Sequence, residues 1–188
     1  MTATAQHLTH LNGFDTAAVA AAVEAIGADP ALGDARFHAV TEWRGASRVT
    51  TRTLPLRLGN DAIERAHVIE GDEPRELFGS DAAANPVELL LSALGSCMTI
   101  TGAANAAMMG IELRSLSVET HGDLDLRGAL GIDPAIRAGL QTIECTVRID
   151  SAAPREQLEE LVQSIVLGSP VFDSVSRSIH IAPQLRIA

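Results

Sequence analysis

From Pro86 to Met109 the chain is apolar or small on nearly every helical face, with Glu88 as the one charged residue. A helix without a polar face must be enclosed by protein or cross a membrane. The segment is long enough to span a bilayer. Glu88, Asn105 and the many alanines disfavour insertion, so the reading is a central helix enclosed by sheets, not a membrane span. Its start is written in Asn85-Pro86-Val87-Glu88. Asn85 supplies a cap, Pro86 suits the first helical position, and Glu88 can reach back to the Asn85 amide. Gly110 marks the end.

Weaker patterns flank this helix. Ala18, Val19, Ala22, Val23 and Ile26 recur at helical spacing until Gly27 and Pro30 stop them, which predicts a small helix packed onto the main body. Residues 1–13 read as a loose arm and 28–35 as a linker. Arg36–Trp43 and Arg48–Leu58 alternate about a turn at Gly45 and predict an antiparallel hairpin, with a short strand following at Arg65–Glu70. Strands are expected near Leu113–Leu126 and Leu140–Ile149. A helix should open at Ala153-Pro154-Arg155-Glu156 and end near Gly168-Ser169-Pro170, and a last strand should cover Ile179–Ile187. The order β-β-β-α-β-β-α-β suits an α+β domain with antiparallel sheet. The organisation expected is an extension, residues 1–35, followed by one domain, residues 36–188.

Composition narrows the function. The 188 residues carry 14 basic and 24 acidic side chains, a net charge of −10, with no lysine, no tyrosine and 3% aromatic residues. Such a chain is a poor binder of nucleic acid or anionic membrane. Cys97 and Cys145 are too few for a disulfide framework and too far apart for a zinc knuckle. Glu119, His121, Asp123 and Asp125 share one strand face, with Val118, Leu124 and Leu126 opposite. That pattern describes a half-solvated strand, not a metal site. Phosphate-binding loops, nucleophile elbows and paired-cysteine motifs are absent from the sequence, so no cofactor is expected. Met1–Gly13 has no cationic region followed by an apolar run, which points to a cytoplasmic protein.

The chemistry therefore rests on thiols. Cys145 alternates with Ile143 and Val147 and reads as core. Cys97 lies mid-helix, roughly opposite the small residues Gly95, Gly102 and Ala106, and shares its face with Ala93, Leu94, Ile100 and Thr101. A buried cysteine is usually an inert hydrophobe. A reactive one needs a nearby cation or hydrogen bonds, and access. In a chain without lysine that cation is an arginine, which cannot serve as a base. Residue type alone leaves Cys97 open between the two.

The run Asn85-Pro86-Val87-Glu88-Leu89-Leu90-Leu91-Ser92-Ala93-Leu94-Gly95-Ser96-Cys97 resembles the signature of the OsmC/Ohr family. The resemblance extends to Trp43-Arg44-Gly45, Asp72-Glu73-Pro74, Gly122–Gly128 and Ser169-Pro170-Val171-Phe172-Asp173, spanning roughly residues 36–186. It implies an intertwined homodimer with sheets wrapped around two central helices. It also implies thiol-dependent reduction of organic hydroperoxides or hydrogen peroxide, in which a thiolate becomes a sulfenic acid that a second cysteine condenses with. The sequence departs from the family at two points. The family's second cysteine precedes Pro where Ser169 stands here. The family's glutamate directly after Asn-Pro is Val87 here, and Glu88, one residue on, is turned by about 100° around the helix.

The expectation is a one-cysteine peroxidase acting on a small-molecule peroxide with an external thiol reductant. Cys97 would be the nucleophile, Arg48 (with Arg44 second) the cation that holds the thiolate and orients the peroxide, and Glu88 the acid that holds the arginine or simply caps the helix. The alternative is a non-catalytic dimer that binds a small ligand or serves a stress response on the same fold. A cysteine hydrolase has no visible histidine partner, His67 and His180 standing only by default.

Overall fold

A computed structural model describes residues 10–187, and the chain forms two compact units that divide between Leu90 and Leu91. In the first unit β1 (His10–Leu11) pairs with β2 (Phe14–Asp15) around Asn12-Gly13, both at positive φ. Residues 10–13 are thus the start of a small hairpin. Residues 1–9 of the expected loose arm lie outside the described residues.

Asp15 then caps α1 (Thr16–Ala28), its carboxylate accepting from the Ala18 amide at 3.0 Å. This is the helix read from the sequence, but none of its residues is buried. Its main packing partners are β2 and a 3-10 turn at Pro30–Gly33. The linker is that turn followed by β3 (Ala35–Arg36).

The next strands are β4 (Ala39–Gly45), β5 (Arg48–Thr53), β6 (Leu56–Leu58), β7 (Asp61–Ile63) and β8 (Val68–Gly71). The hairpin read from alternation is β4 against β5, with β8 on the other side of β5. The single strand expected over Arg48–Leu58 is broken at Leu54-Pro55, because proline cannot donate to a ladder. β6 joins a separate sheet, ordered β3-β6-β7.

A compact loop links β8 to the central helix. The Asp72 carboxylate, 1% exposed, accepts from Ser47 Oγ and Ser80 Oγ at 2.5 Å each, and from the amides of Ser80 and Ala82 at 3.1 and 3.0 Å. Those donors, Ser47 first, hold its carboxyl far below the usual carboxylate range. The loop is tight elsewhere too. Phe78 and Asp81 are left-handed, and a Cβ at Gly79 would fall 1.7 Å from the Glu73 carbonyl oxygen. Beyond it, α2 (Pro86–Met108) opens with a reciprocal cap: Asn85 Oδ1 accepts from the Glu88 amide and Glu88 Oε2 from the Asn85 amide, both at 2.8 Å.

In the second unit β9 (Leu113–Asp123), the one-turn helix α3 (Leu126–Ala129) and β10 (Thr142–Ser151) precede α4 (Arg155–Gly168) and α5 (Pro170–Ser176). β9 and β10 pair antiparallel, Cys145 opposite Thr120. Ile143, Cys145, Val147 and Ile149 alternate inward against a core of Leu94, Met98, Ala106, Ile111, Leu161 and Ile165. The glycine stripe of α2 permits this packing. A Cβ at Gly102 would meet Ile165 Cδ1 at 2.8 Å and Leu116 Cδ2 at 2.9 Å, and one at Gly95 would lie 3.5 Å from the Val118 carbonyl.

Two further expectations are corrected. The strand at Ile179–Ile187 does not form: these residues belong to no regular element, and Ile181, Leu185 and Ile187 are more than four-fifths exposed. Alternation marks a strand-competent segment, but a strand exists only when an edge pairs with it. Secondly, β9 stops at Asp123, so Asp125 caps α3 instead of sharing the strand face, and Leu126 is exposed in that helix. Within one chain α2 is covered only in part, full enclosure being the expectation for a homodimer. Only 22% of its most apolar stretch is buried, and Ile100 is 63% exposed. The outer face of β9 is half-solvated as read: Glu119 pairs with Arg148, and His121 lies 3.8 Å from Glu144. Among the described residues no cluster of ligands could hold a metal.

Because the Asp72 carboxyl titrates lower in the folded chain than in the unfolded one, its stabilisation is present above about pH 4 and fades as pH falls below that value. Asp72→Asn is expected to lower stability at neutral pH and to flatten the loss of stability below about pH 4, read from urea midpoints across the acid range.

Candidate functional site

Cys97, Thr101 and Asn105 recur every four residues and form a polar stripe on one face of α2. This stripe meets the corner where α4 turns into α5. Asn105 Nδ2 donates to Ser164 Oγ at 2.9 Å, and Ser164 in turn donates to the Leu161 carbonyl at 2.7 Å. Gly168 allows the close approach, since a Cβ there would stand 3.3 Å from Thr101 Cγ2 and 3.7 Å from Asn105 Nδ2.

Local sequence makes the corner. The Ser169 amide closes α4 on the Ile165 carbonyl at 3.0 Å, while the Ser169 hydroxyl caps α5 by accepting from the Phe172 amide at 3.3 Å. Pro170 takes the first position of α5. Ser169 is 1% exposed, and its Oγ donates to Cys97 Sγ at 3.2 Å. A hydroxyl has one proton. With its oxygen accepting from Phe172, that proton is directed at the sulfur.

The two thiols differ. Both are half-buried, but Cys97 has a hydroxyl donor against its sulfur, whereas Cys145 packs on the core and burial pushes its thiol up from the ordinary value. The core reading of Cys145 is thus supported by its surroundings. Neither of two grooves in this unit, about 500 Å³ between β10 and α4 and about 550 Å³ between α2 and β9, is lined by Cys97.

Glu88, Arg44, Arg48 and His67 belong to the first unit, whereas His180 lies in the second, after α5 and outside any regular element. Glu88 is engaged in the helix cap through its carboxylate. Arg48 stands exposed at the start of β5. Arg44 is held by an ion pair with Glu42, and its Nε donates to Thr50 Oγ1 at 3.3 Å. Sequence reasoning missed the Asp72 knot, because Ser47 and Ser80 are brought to it by folding from 25 and 8 residues away. It also missed the continuation of the cysteine stripe to Asn105, although the four-residue spacing from Cys97 was there to read.

A half-buried thiol that faces a hydroxyl donor can act as a nucleophile toward a small electrophile reaching its open side. Native protein treated with limiting iodoacetamide near neutral pH should be labelled at Cys97 at least about tenfold faster than at Cys145, read by peptide mass. Ser169→Cys should place a second sulfur against Cys97 and close a disulfide under mild oxidation, read as a loss of both free thiols.

The family model described as OsmC-like protein matches residues 79–184, which include α2, β9, β10, α4 and the Ser169 corner. Among solved structures, an OsmC-like protein from Mycoplasma pneumoniae aligns at 19% identity over 76% of this chain and 87% of that one, TM-score 0.55. An OsmC-like protein of unknown function from Vibrio cholerae O1 biovar eltor aligns at 13% identity over 74% of this chain and 92% of that one, TM-score 0.57. No curated protein matches the sequence. These likenesses carry the mixed α+β fold with antiparallel sheets. Matched over more than half its length, the chain belongs to the OsmC-like protein family.

Proposed function

We propose that this protein is a thiol peroxidase of the oxidative-stress response, in which Cys97 alone reduces organic hydroperoxides or hydrogen peroxide and an external thiol regenerates it. The observation that carries the reading is the Ser169 hydroxyl 3.2 Å from the Cys97 sulfur, at the corner where the family resemblance calls for a second cysteine. A thiol at that corner would resolve an oxidised Cys97; a hydroxyl cannot form a disulfide.

The sulfur attacks the distal peroxide oxygen. The O–O bond breaks, Cys97 becomes a sulfenic acid, and the leaving alkoxide takes the proton and departs as the alcohol. An incoming thiol then condenses with the sulfenic acid, releasing water and leaving a mixed disulfide. A second thiol attacks that disulfide and frees Cys97. Arg48 is assigned to holding the thiolate and orienting the peroxide, with Arg44 committed to Glu42 and Thr50. Glu88 is assigned the helix cap in the first place, and support of the arginine only beyond that.

The working unit in this proposal is a homodimer. Among the described residues, no large apolar side chain of the first unit is fully buried, while Phe37, Trp43 and Phe78 are 77%, 74% and 86% exposed. Apolar surface on that scale, with the open side of α2 and the unpaired Ile179–Ile187 segment, calls for cover that a second copy can supply.

One equivalent of cumene hydroperoxide should add a single oxygen to Cys97, and Cys97→Ser should abolish peroxide consumption with thiols. Arg48→Ala should lower kcat/KM about 10²-fold. A protein that stays unoxidised would instead be the non-catalytic dimer. In sedimentation at micromolar concentration the native protein should run at about twice the 19.7 kDa chain mass, and a species of one chain mass alone would refute the dimer.

A further inference from the structure

We infer that Ser169 is a positioning residue that halts the oxidation of Cys97 at the sulfenic acid, turning the corner where a resolving thiol would stand into a guard. The inference rests on the peroxidase reading above.

The geometry is specific. Ser169 is all but fully buried, its oxygen is anchored by the Phe172 amide, and its one proton points at Cys97 Sγ. Over-oxidation requires a sulfur lone pair of the sulfenic acid to attack a second peroxide: Cys–SOH and ROOH give Cys–SO₂H and ROH. A hydrogen bond from Ser169 occupies sulfur electron density on the buried side. The same side is walled by Gly168 and Ser169, which pack against Thr101 and Cys97 on α2. The second peroxide must therefore reach the sulfur through the half-open side that already carries the first oxygen. A small external monothiol attacks the same open side, yet needs no sulfur lone pair, because the sulfur is then the electrophile. Cys–SOH and RSH give Cys–S–SR and water, and a second RSH returns Cys–SH and RS–SR. The corner thus slows the damaging reaction and leaves the productive one open.

The test follows one- and two-oxygen forms of Cys97 by intact mass, with excess cumene hydroperoxide and no thiol present. Wild-type protein should stop at the one-oxygen form, trapped by dimedone, for many times the half-time of the first oxidation. In Ser169→Ala the ratio of second to first oxidation rate should rise about fivefold, the factor associated with one hydrogen bond. Ser169→Thr, which keeps the hydroxyl, should return the ratio towards wild type. A purely structural role would change both rates together and leave the ratio alone. An unchanged ratio in Ser169→Ala overturns the inference while the first oxidation upholds the peroxidase reading. Absence of even the first oxygen in wild type overturns the peroxidase reading itself. Wild-type protein that gains its second oxygen as fast as its first overturns the inference without any variant.

Discussion

A long helix with a single charged residue, Glu88, has to find cover, and the second unit is arranged by how α2 finds it. The glycine side lies against β9 at Gly95 and takes the Ile165 and Leu116 side chains at Gly102, where an added Cβ would fall 2.8 and 2.9 Å from them. Leu94, Met98 and Ala106 fill the core between that sheet and α4. The polar stripe Cys97–Thr101–Asn105 takes the corner between α4 and α5. Ile100 and its neighbours remain open. One helix surface thus sets where the sheet lies, where Cys97 faces, and which side stays open.

The polar contact at Cys97 comes from the corner, not from the helix. A cysteine in the middle of an apolar helix is usually packing, as Cys145 is on its strand. What separates Cys97 is a buried hydroxyl whose other hydrogen bond is already fixed by a helix cap. The same serine ends α4, starts α5 and faces the sulfur. Substitution there bears on backbone geometry and chemistry together, which is why the ratio of two rates is more informative than either rate.

The parts of the fold legible in the sequence were those decided locally. The cap Asn85-Pro86-Val87-Glu88 formed with both reciprocal bonds because its partners are three residues apart. The alternation of β10 showed its inward face, and the Gly168-Ser169-Pro170 stop ended α4 where expected. What escaped depended on distant partners. The apolar alternation of Ile179–Ile187 was real, but without an edge to pair with the segment is not a strand. Asp72 stood out in the sequence only as part of the family resemblance, and only folding brings Ser47 and Ser80 to it. The Cys97–Ser169 pair was legible only through resemblance, since 72 residues separate the two.

The proposed mechanism makes the Cys97 sulfur the reacting atom and has Ser169 hold it. A crystal structure of the protein after brief exposure to a hydroperoxide tests both at once. Density is expected for one added oxygen on Cys97 Sγ, directed away from the α4–α5 corner, with Ser169 Oγ still within hydrogen-bonding distance of the sulfur and Cys145 unmodified. Unaltered Cys97, or oxygen added at Cys145 with Ser169 turned from the sulfur, would contradict it.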